Sequence, residues 1–565
     1  MPARPIFRIL SWCVSQPGPL TLVIALVLAA PVPLIMALAP DLSINFAHHD
    51  IFIPLDAAWR TLQGQWPHTD VYSPLGLAYF WQHGAAAWLW GLDGRVLIRA
   101  NFIALPFVLV PAIILAWRRL HALFALLLIV MLTVLVTAPT FLDGPVRVMA
   151  NLANYNRVGA AMSGIVCLWA LSPPRRRNPV IDGAESLLVG LLLLILLYLK
   201  VTFFGLAGAI TAVGCCTDRR LWGQAAIAGI VVLVGAGLLE LLHPGLFLAY
   251  LGDIRRTGAS NTHFFRDFYA PAAVVANFGL CLLIAALALA TAWVEPRHRM
   301  SLIGILIVTV GCVLAATQNF GALSTPLFVI IMIVAQRLTA ATSPAAPEVR
   351  PVLDAIGVVA VVMAISPFLI TQIGGTLYEL RMQRITAAAL GVGKSDTLKD
   401  IVWFQNVMDL SFLPDHFTMQ EAATWKAPLV PALLAASILD DGIDLLQRNG
   451  LDQRRIANLS FSNPFPFALR APSPCGVALW WDEDRTYSVG KLTPAMVVGN
   501  ADLVMVPKLW WNHFITLELL DAAQAKLQQD FTPYESQYWT AWARNPGIAA
   551  QGPAGAAYDK ACGTG

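Results

Sequence analysis

The stretch "HHDIFIPLDAAWRTLQGQWPHTDVYSPLG" at residues 48–76 concentrates side chains able to do chemistry: Asp50, Asp56 and Asp70, the paired His48 and His49, Arg60 and Tyr72. A carboxylate here can take a proton from a hydroxyl, and arginine or histidine can meet an anion or orient the carboxylate. Asp50 and Asp56 are the candidate bases, with His49, Arg60 and Tyr72 as candidate substrate contacts. The default for an acidic loop residue is simple solvation at a turn. A divalent metal near His48, His49 and Asp50 is possible, but adjacent positions rarely point one way, so no metal ligand is assigned.

The surroundings of Asp50 argue for a fixed scaffold rather than a solvated tether. Pro54 suits a first helical position, and Leu55, Ala58, Trp59 and Leu62 recur at helical spacing before Gly64 ends the pattern. The opposite face carries Asp56, Arg60 and Gln63, with the acid four residues ahead of the base. Such a helix is expected at the membrane surface with its polar side toward water. Ser73 and Pro74 then read as the cap and first position of a second surface helix.

These elements follow a long apolar run in a chain of 565 residues that is 57% hydrophobic and only 13% charged. A soluble domain carries roughly 25% charge, so this composition specifies a membrane protein. The 37 basic and 34 acidic residues leave a net charge of +3, with no basic stripe to attract a nucleic acid. Eleven spans are expected, near 20–39, 97–117, 120–138, 157–172, 183–202, 203–217, 222–242, 271–294, 300–316, 322–336 and 351–371. The first is read as a retained span rather than a cleaved signal.

The segment 73–91 is apolar enough to cross, yet carries Gln82 and His83 at its centre. If it stays on the surface, the arginine clusters at 118–119, 175–177, 219–220, 297–299 and 337–350 all share the side of Arg4 and Arg8. The positive-inside rule therefore makes 41–96 one long outer loop and leaves the chain beyond 374 outside as well. Domains of 1–373 (membrane) and 374–565 (soluble) are expected. In the latter, "DTLKDIVWFQNVMDL", "PALLAASILDDGIDLLQRNG" and "ITLELLDAAQAKLQQDF" read as helices; "RRIANLSFS", "GVALWW" and "ADLVMVP" read as strands of a small α/β layer. Cys475 and Cys562 are candidates for a disulfide there. The proline- and aromatic-rich "SNPFPFALRAPSPCGVALWWDEDRTYS" is either an acceptor-binding surface or a rigid loop packed on the membrane part.

An acidic residue shortly after the first span, an "A..L..G" helix, and an "S-P-x-L"-type turn opening a second surface helix resemble the GT-C superfamily of polytopic glycosyltransferases. Here these are Asp50, then Ala58, Leu62 and Gly64, then Ser73, Pro74 and Leu75. The following "GRVLIRANFIALPFVLVPAIILAWRRL" is also similar to that superfamily's next segment. The likeness covers residues 1–120, and the lone Asp50 after "HH" departs from the commoner acidic pair.

The resemblance implies a mainly α, GT-C-like bundle with periplasmic juxtamembrane helices and a periplasmic C-terminal domain, in a bacterial inner membrane with its N-terminus cytoplasmic. It implies transfer of a sugar from a polyprenyl-phosphate donor to a lipid or glycan acceptor, with Asp50 as base near its ordinary ionised state. Such chemistry needs one base, because a lipid phosphate leaves without protonation, and cations to hold that phosphate. Lys200, at the end of an apolar helix, is one candidate, with snorkelling to the interface as its alternative. Arg157, Arg255, Arg256 and Arg266 are others, while His263, Gln318 and Asn319 are candidate sugar contacts. A flippase for a lipid-linked sugar and a non-catalytic envelope scaffold are the competing readings; no internal repeat of the transporter kind is visible.

Overall fold

The computed structural model describes residues 10–44, 49–140, 153–260, 270–296, 299–317, 324–340, 349–386, 394–403, 432–509 and 513–548. Among the described residues, seven helices are long and apolar enough to cross a membrane: Pro19–Leu38, Val96–Arg119, Pro179–Leu199, Leu221–Leu242, Ala273–Val294, Arg299–Ala316 and Arg350–Met382. Ala122–Thr137, Val201–Thr217 and Thr325–Thr339 are shorter apolar helices. The remaining expected span coincides with Asn154–Leu171, which is buried almost throughout. The chain is a mainly α, multi-pass membrane protein with a small C-terminal sheet.

Asn154–Leu171 lies at the centre because small residues let neighbours approach closely. A Cβ on Gly159 would come 2.3 Å from the Phe203 ring, and one on Gly164 would come 3.2 Å from Val329. At one end of the bundle Arg119 is fully buried and bonds both Glu185 oxygens at 2.8 and 2.7 Å, while Arg118 bonds Asp182 at 2.7 Å. Arg175, Arg177 and Arg337 gather at the same end: the Arg175 amide bonds Arg118 O, Arg177 pairs with Asp218, and Arg337 donates to Leu171 O.

At the other end, Phe52–Leu62 and Leu77–Trp90 form the two helices of the first long loop. Both differ in detail from expectation. The first begins two residues before Pro54, and the second is capped by Gly76 rather than Ser73, whose hydroxyl instead closes a turn with Leu75. Gln82 and His83 are buried, bonded to Ala100 O and Tyr79 O, so the polar centre of 73–91 faces protein. Trp81, Trp88 and Trp90 remain exposed on this helix.

The last apolar helix continues as part of Arg350–Thr386, so residue 374 falls inside it. The helix expected over "DTLKDIVWFQNVMDL" is corrected in its first part, which forms β2 (Ile401–Trp403), paired in parallel with β1 (Leu42–Ile44), while residues 404–410 lie outside the described residues. Beyond it come the helix Ala432–Arg448 and a sheet of β3 (Ile456–Asn458), β4 (Leu503–Pro507), β5 (Phe531–Glu535) and β6 (Trp539–Arg544) in the order β3-β4-β6-β5. β3 and β4 are parallel; the other pairings are antiparallel. "GVALWW" makes only single bridges, Ala478 to Tyr72 and Trp480 to Ser462. Cys475 is disulfide-bonded, and Cys562 lies outside the described residues.

Candidate functional site

The C-terminal domain is seated on the first loop by backbone and side-chain hydrogen bonds. Trp59 Nε1 donates to Ala471 O at 2.7 Å, and Arg60 Nη1 to Pro474 O at 2.7 Å. The Tyr72 amide donates to Val477 O at 3.0 Å, and its carbonyl accepts from Leu479 N at 2.9 Å. Segment 471–479 is thus a loop packed on the membrane part.

This docking buries what looked like a water-facing stripe. Arg60 Nε bonds Asp56 Oδ2 at 2.8 Å, and both residues are fully buried. Their mutual ion pair, with Ser473 and Gln65 around it, makes them a structural pair beneath the domain. Both side chains are enclosed where the C-terminal segment 473–474 covers them.

Asp50 stands apart from them, in the turn before Phe52–Leu62, with 30% of its side chain exposed. His49 beside it is held on three sides. Its ring meets Phe461 edge-on at 4.5 Å, its carbonyl accepts from Ser462 Oγ at 2.6 Å, and its Nε2 lies 3.4 Å from Asp50 Oδ1. The recess pushes the Asp50 carboxyl up to about 7, through burial first and the Asp482 carboxylate second, against the opposing pull of Arg485. This revises the expectation of an ordinary ionised aspartate.

Around Asp50 four further segments converge. Tyr79, from Leu77–Trp90, is buried within Coulombic reach of Asp50 and packs edge-on against Tyr155 at 5.7 Å. Tyr155 and Asn156 open the central helix Asn154–Leu171. Lys200 lies in the non-helical break between Pro179–Leu199 and Val201–Thr217, its Nζ 5.1 Å from the Tyr155 ring centroid and 3.5 Å from Asn156 Oδ1. Gly76 pins the break: its amide bonds Leu199 O, and a Cβ there would fall 2.2 Å from Tyr198 O. Arg485 pairs with Asp482 at 3.0 Å on a turn of the C-terminal domain.

The other expected contacts scatter. Arg157 is buried and donates to Leu135 O, Ala138 O and Gln372, stapling helix ends together. The Tyr72 hydroxyl meets Thr257 at 3.0 Å, and the exposed Arg256 covers its ring at 4.5 Å. Both partners belong to the short helix Leu246–Ser260, which also holds the exposed Arg255. That helix is tied to the loop by His68–Asp253 at 2.9 Å, and His243, just before it, stacks on Trp66. His48, His263, Arg266, Gln318 and Asn319 lie outside the described residues. Among the described residues no three His, Cys, Asp or Glu side chains converge to hold a metal.

Tyr79, Tyr155, Asn156, Asp482 and Arg485 were not singled out from sequence. The only local signal was the charge run "DEDR" directly after two tryptophans. Chemically, the cluster brings together a carboxyl raised toward neutrality, a lysine, an arginine and two tyrosine rings.

No protein-family model matches the chain, and no curated protein matches it. Among solved structures it is similar to the oligosaccharyltransferase of Archaeoglobus fulgidus in complex with Zn and sulfate, with a TM-score of 0.33 and 12% identity. The alignment covers 64% of this chain and 52% of that one, so the chain spans about half the length of the archaeal protein.

Proposed function

We propose that this protein is a membrane glycosyltransferase that moves a sugar from a polyprenyl-phosphate carrier to a hydroxyl of a lipid or cell-envelope glycan, with Asp50 as general base. The observation that carries the reading is Asp50 itself, a carboxyl raised to about 7 in a recess at the end of the apolar bundle. A base works best when its pKa lies near the operating pH.

In the reaction, the acceptor oxygen attacks the anomeric carbon of the donor sugar as Asp50 takes its proton. The bond from that carbon to the phosphate oxygen breaks, and the polyprenyl phosphate departs with the electron pair as an anion. No acid is required at that oxygen, in contrast to glycoside hydrolysis, where two carboxyl groups are needed. Asp50 then returns its proton to water. His49, 3.4 Å away, orients the carboxylate, and Lys200 faces the departing phosphate. Tyr79 and Tyr155 form walls on which a sugar ring can rest.

The arginine-rich end of the bundle belongs on the cytoplasmic side of a bacterial inner membrane by the positive-inside rule. That orientation gives the recess and the C-terminal domain to the periplasm. The test is transfer of labelled sugar from a polyprenyl-phosphate donor in membranes carrying wild-type or Asp50→Asn protein. Transfer should collapse in the variant while its level in the membrane persists. Continued lipid movement without any transfer in the wild type would make the protein a flippase instead.

A further inference from the structure

We propose that the outward face of the helix Leu246–Ser260 rests on the bilayer at the Asp50 end of the bundle, with Leu248 and Leu251 in the acyl boundary and Arg255, flanked by Arg256, on the phosphates of anionic phospholipids. This attachment does not depend on glycosyl transfer.

The helix is held along one side only. Tyr250 Oη donates to Leu197 O at 2.8 Å, Asp253 Oδ2 accepts from Ser73 N at 3.1 Å and meets His68 Nδ1 at 2.9 Å, and Thr257 Oγ1 meets the Tyr72 hydroxyl at 3.0 Å. With Leu246 and Ser260 these residues recur at i, i+4, i+7, i+11 and i+14, a single stripe, and Leu246, Tyr250, Asp253 and Ser260 are buried. The opposite stripe is Leu248, Leu251, Gly252, Arg255 and Ala259, all exposed, with Leu248 71% and Leu251 43% open. Arg256 stands at its flank, where it covers the Tyr72 ring. Asp253 is the one acid of the helix and belongs to the inner stripe, so the outer face is apolar in its first half and purely basic in its second.

The position of the helix puts that face at the lipid boundary. Leu221–Leu242 has 22 residues, about 33 Å of helix, against a hydrocarbon core of roughly 30 Å. Its last turns expose Leu238, Leu241 and Leu242, so the lipid-facing surface runs to its end. Only residues 243–245 separate it from Leu246, a reach of at most about 11 Å. Glu240 closes that corner by accepting from the Gly245 amide at 2.6 Å and the Phe247 amide at 2.9 Å. Tyr250 is bonded near the end of a second span, Pro179–Leu199, which keeps the helix at the level where the spans stop. Leu248 and Leu251 thus continue the apolar surface of the bundle, and Arg255 follows at the height of the headgroups, where a guanidinium meets phosphate oxygens with its planar fork.

The test is hydrogen exchange of the full-length chain in nanodiscs of phosphatidylglycerol, which is anionic, and of phosphatidylcholine, which carries no net charge. Amides of 246–260 should exchange about fivefold more slowly in the anionic discs, and Arg255→Gln should remove most of that difference. Replacing Arg219 and Arg220 by Gln, an exposed pair at the opposite end of Leu221–Leu242, should leave it unchanged. Leu248→Asn with Leu251→Asn should speed exchange to the same extent in both lipids, while unchanged amides in Asn154–Leu171 show that the bundle stays folded. Equal exchange of the wild type in the two lipids, or a headgroup difference that survives Arg255→Gln, overturns the proposal. So does a dimer of the wild type that separates when both leucines are replaced, because a second copy would then occupy this face.

Discussion

Replacing Asp50 by Asn separates folding from chemistry with opposite signs. A carboxyl moved from its ordinary 3.8 to about 7 is harder to ionise in the native state than in the unfolded chain. Its contribution to stability is therefore full below 3.8 and is lost as pH rises toward 7. At about 1.4 kcal/mol per tenfold change, the loss at alkaline pH approaches about 4 kcal/mol as an upper bound. Because 30% of the side chain is exposed, solvent screening reduces this to about 1–2 kcal/mol. Asparagine never ionises, so the variant should unfold a few degrees higher than the wild type near pH 8 and at nearly the same temperature near pH 4. Sugar transfer should meanwhile fall by about 10²–10⁴-fold, the usual effect of removing a general base. Thermal unfolding in detergent at the two pH values, paired with a transfer assay on the same preparations, reads both effects. A variant destabilised equally at both pH values, or one that keeps its transfer rate, would refute the reasoning.

Three further outcomes follow from the geometry. Transfer should rise with pH through about 7 as Asp50 deprotonates, and Asp482→Asn should move that rise to lower pH by removing a carboxylate that holds the base up, measurable as a pH–rate profile. Arg60→Ala leaves Asp56 buried without its partner and should cost about 3–5 kcal/mol, seen as lost expression or a lower unfolding temperature rather than as a specific loss of turnover. Gly76→Ala forces a methyl into the Tyr198 carbonyl and should displace the Lys200 break; weaker donor binding with the C-terminal domain still protected from proteolysis is the expected pattern.

The spans were legible because an apolar run long enough to cross a bilayer needs no partner to declare itself; those expected at 97–117 and 222–242 fall on Val96–Arg119 and Leu221–Leu242. The two helices of the first long loop were also legible from local periodicity, although the second starts at Leu77 behind Gly76 and not at the expected Ser73 cap. The β1–β2 pair was not, because Leu42 and its partner Ile401 are far apart in sequence and each strand is only three residues long. Asp56 and Arg60 read as a solvated i,i+4 pair because nothing local announces a lid; Pro474 and Ser473, which cover them, lie in another domain. The same holds for the recess. Asp50 could be picked out by its place after the first span, but Tyr79, Tyr155, Lys200 and Arg485 come from four separate segments that only the folded bundle assembles.

The central claim, that the recess beside Asp50 receives a lipid-borne phosphate, is tested most directly by cryo-electron microscopy of the full-length chain incubated with polyprenyl phosphate. The account predicts phosphate density between Asp50 and Lys200, with the prenyl tail running from there along the apolar bundle. Saturated protein in which that density lies elsewhere, at the arginine-rich end for instance, would contradict it.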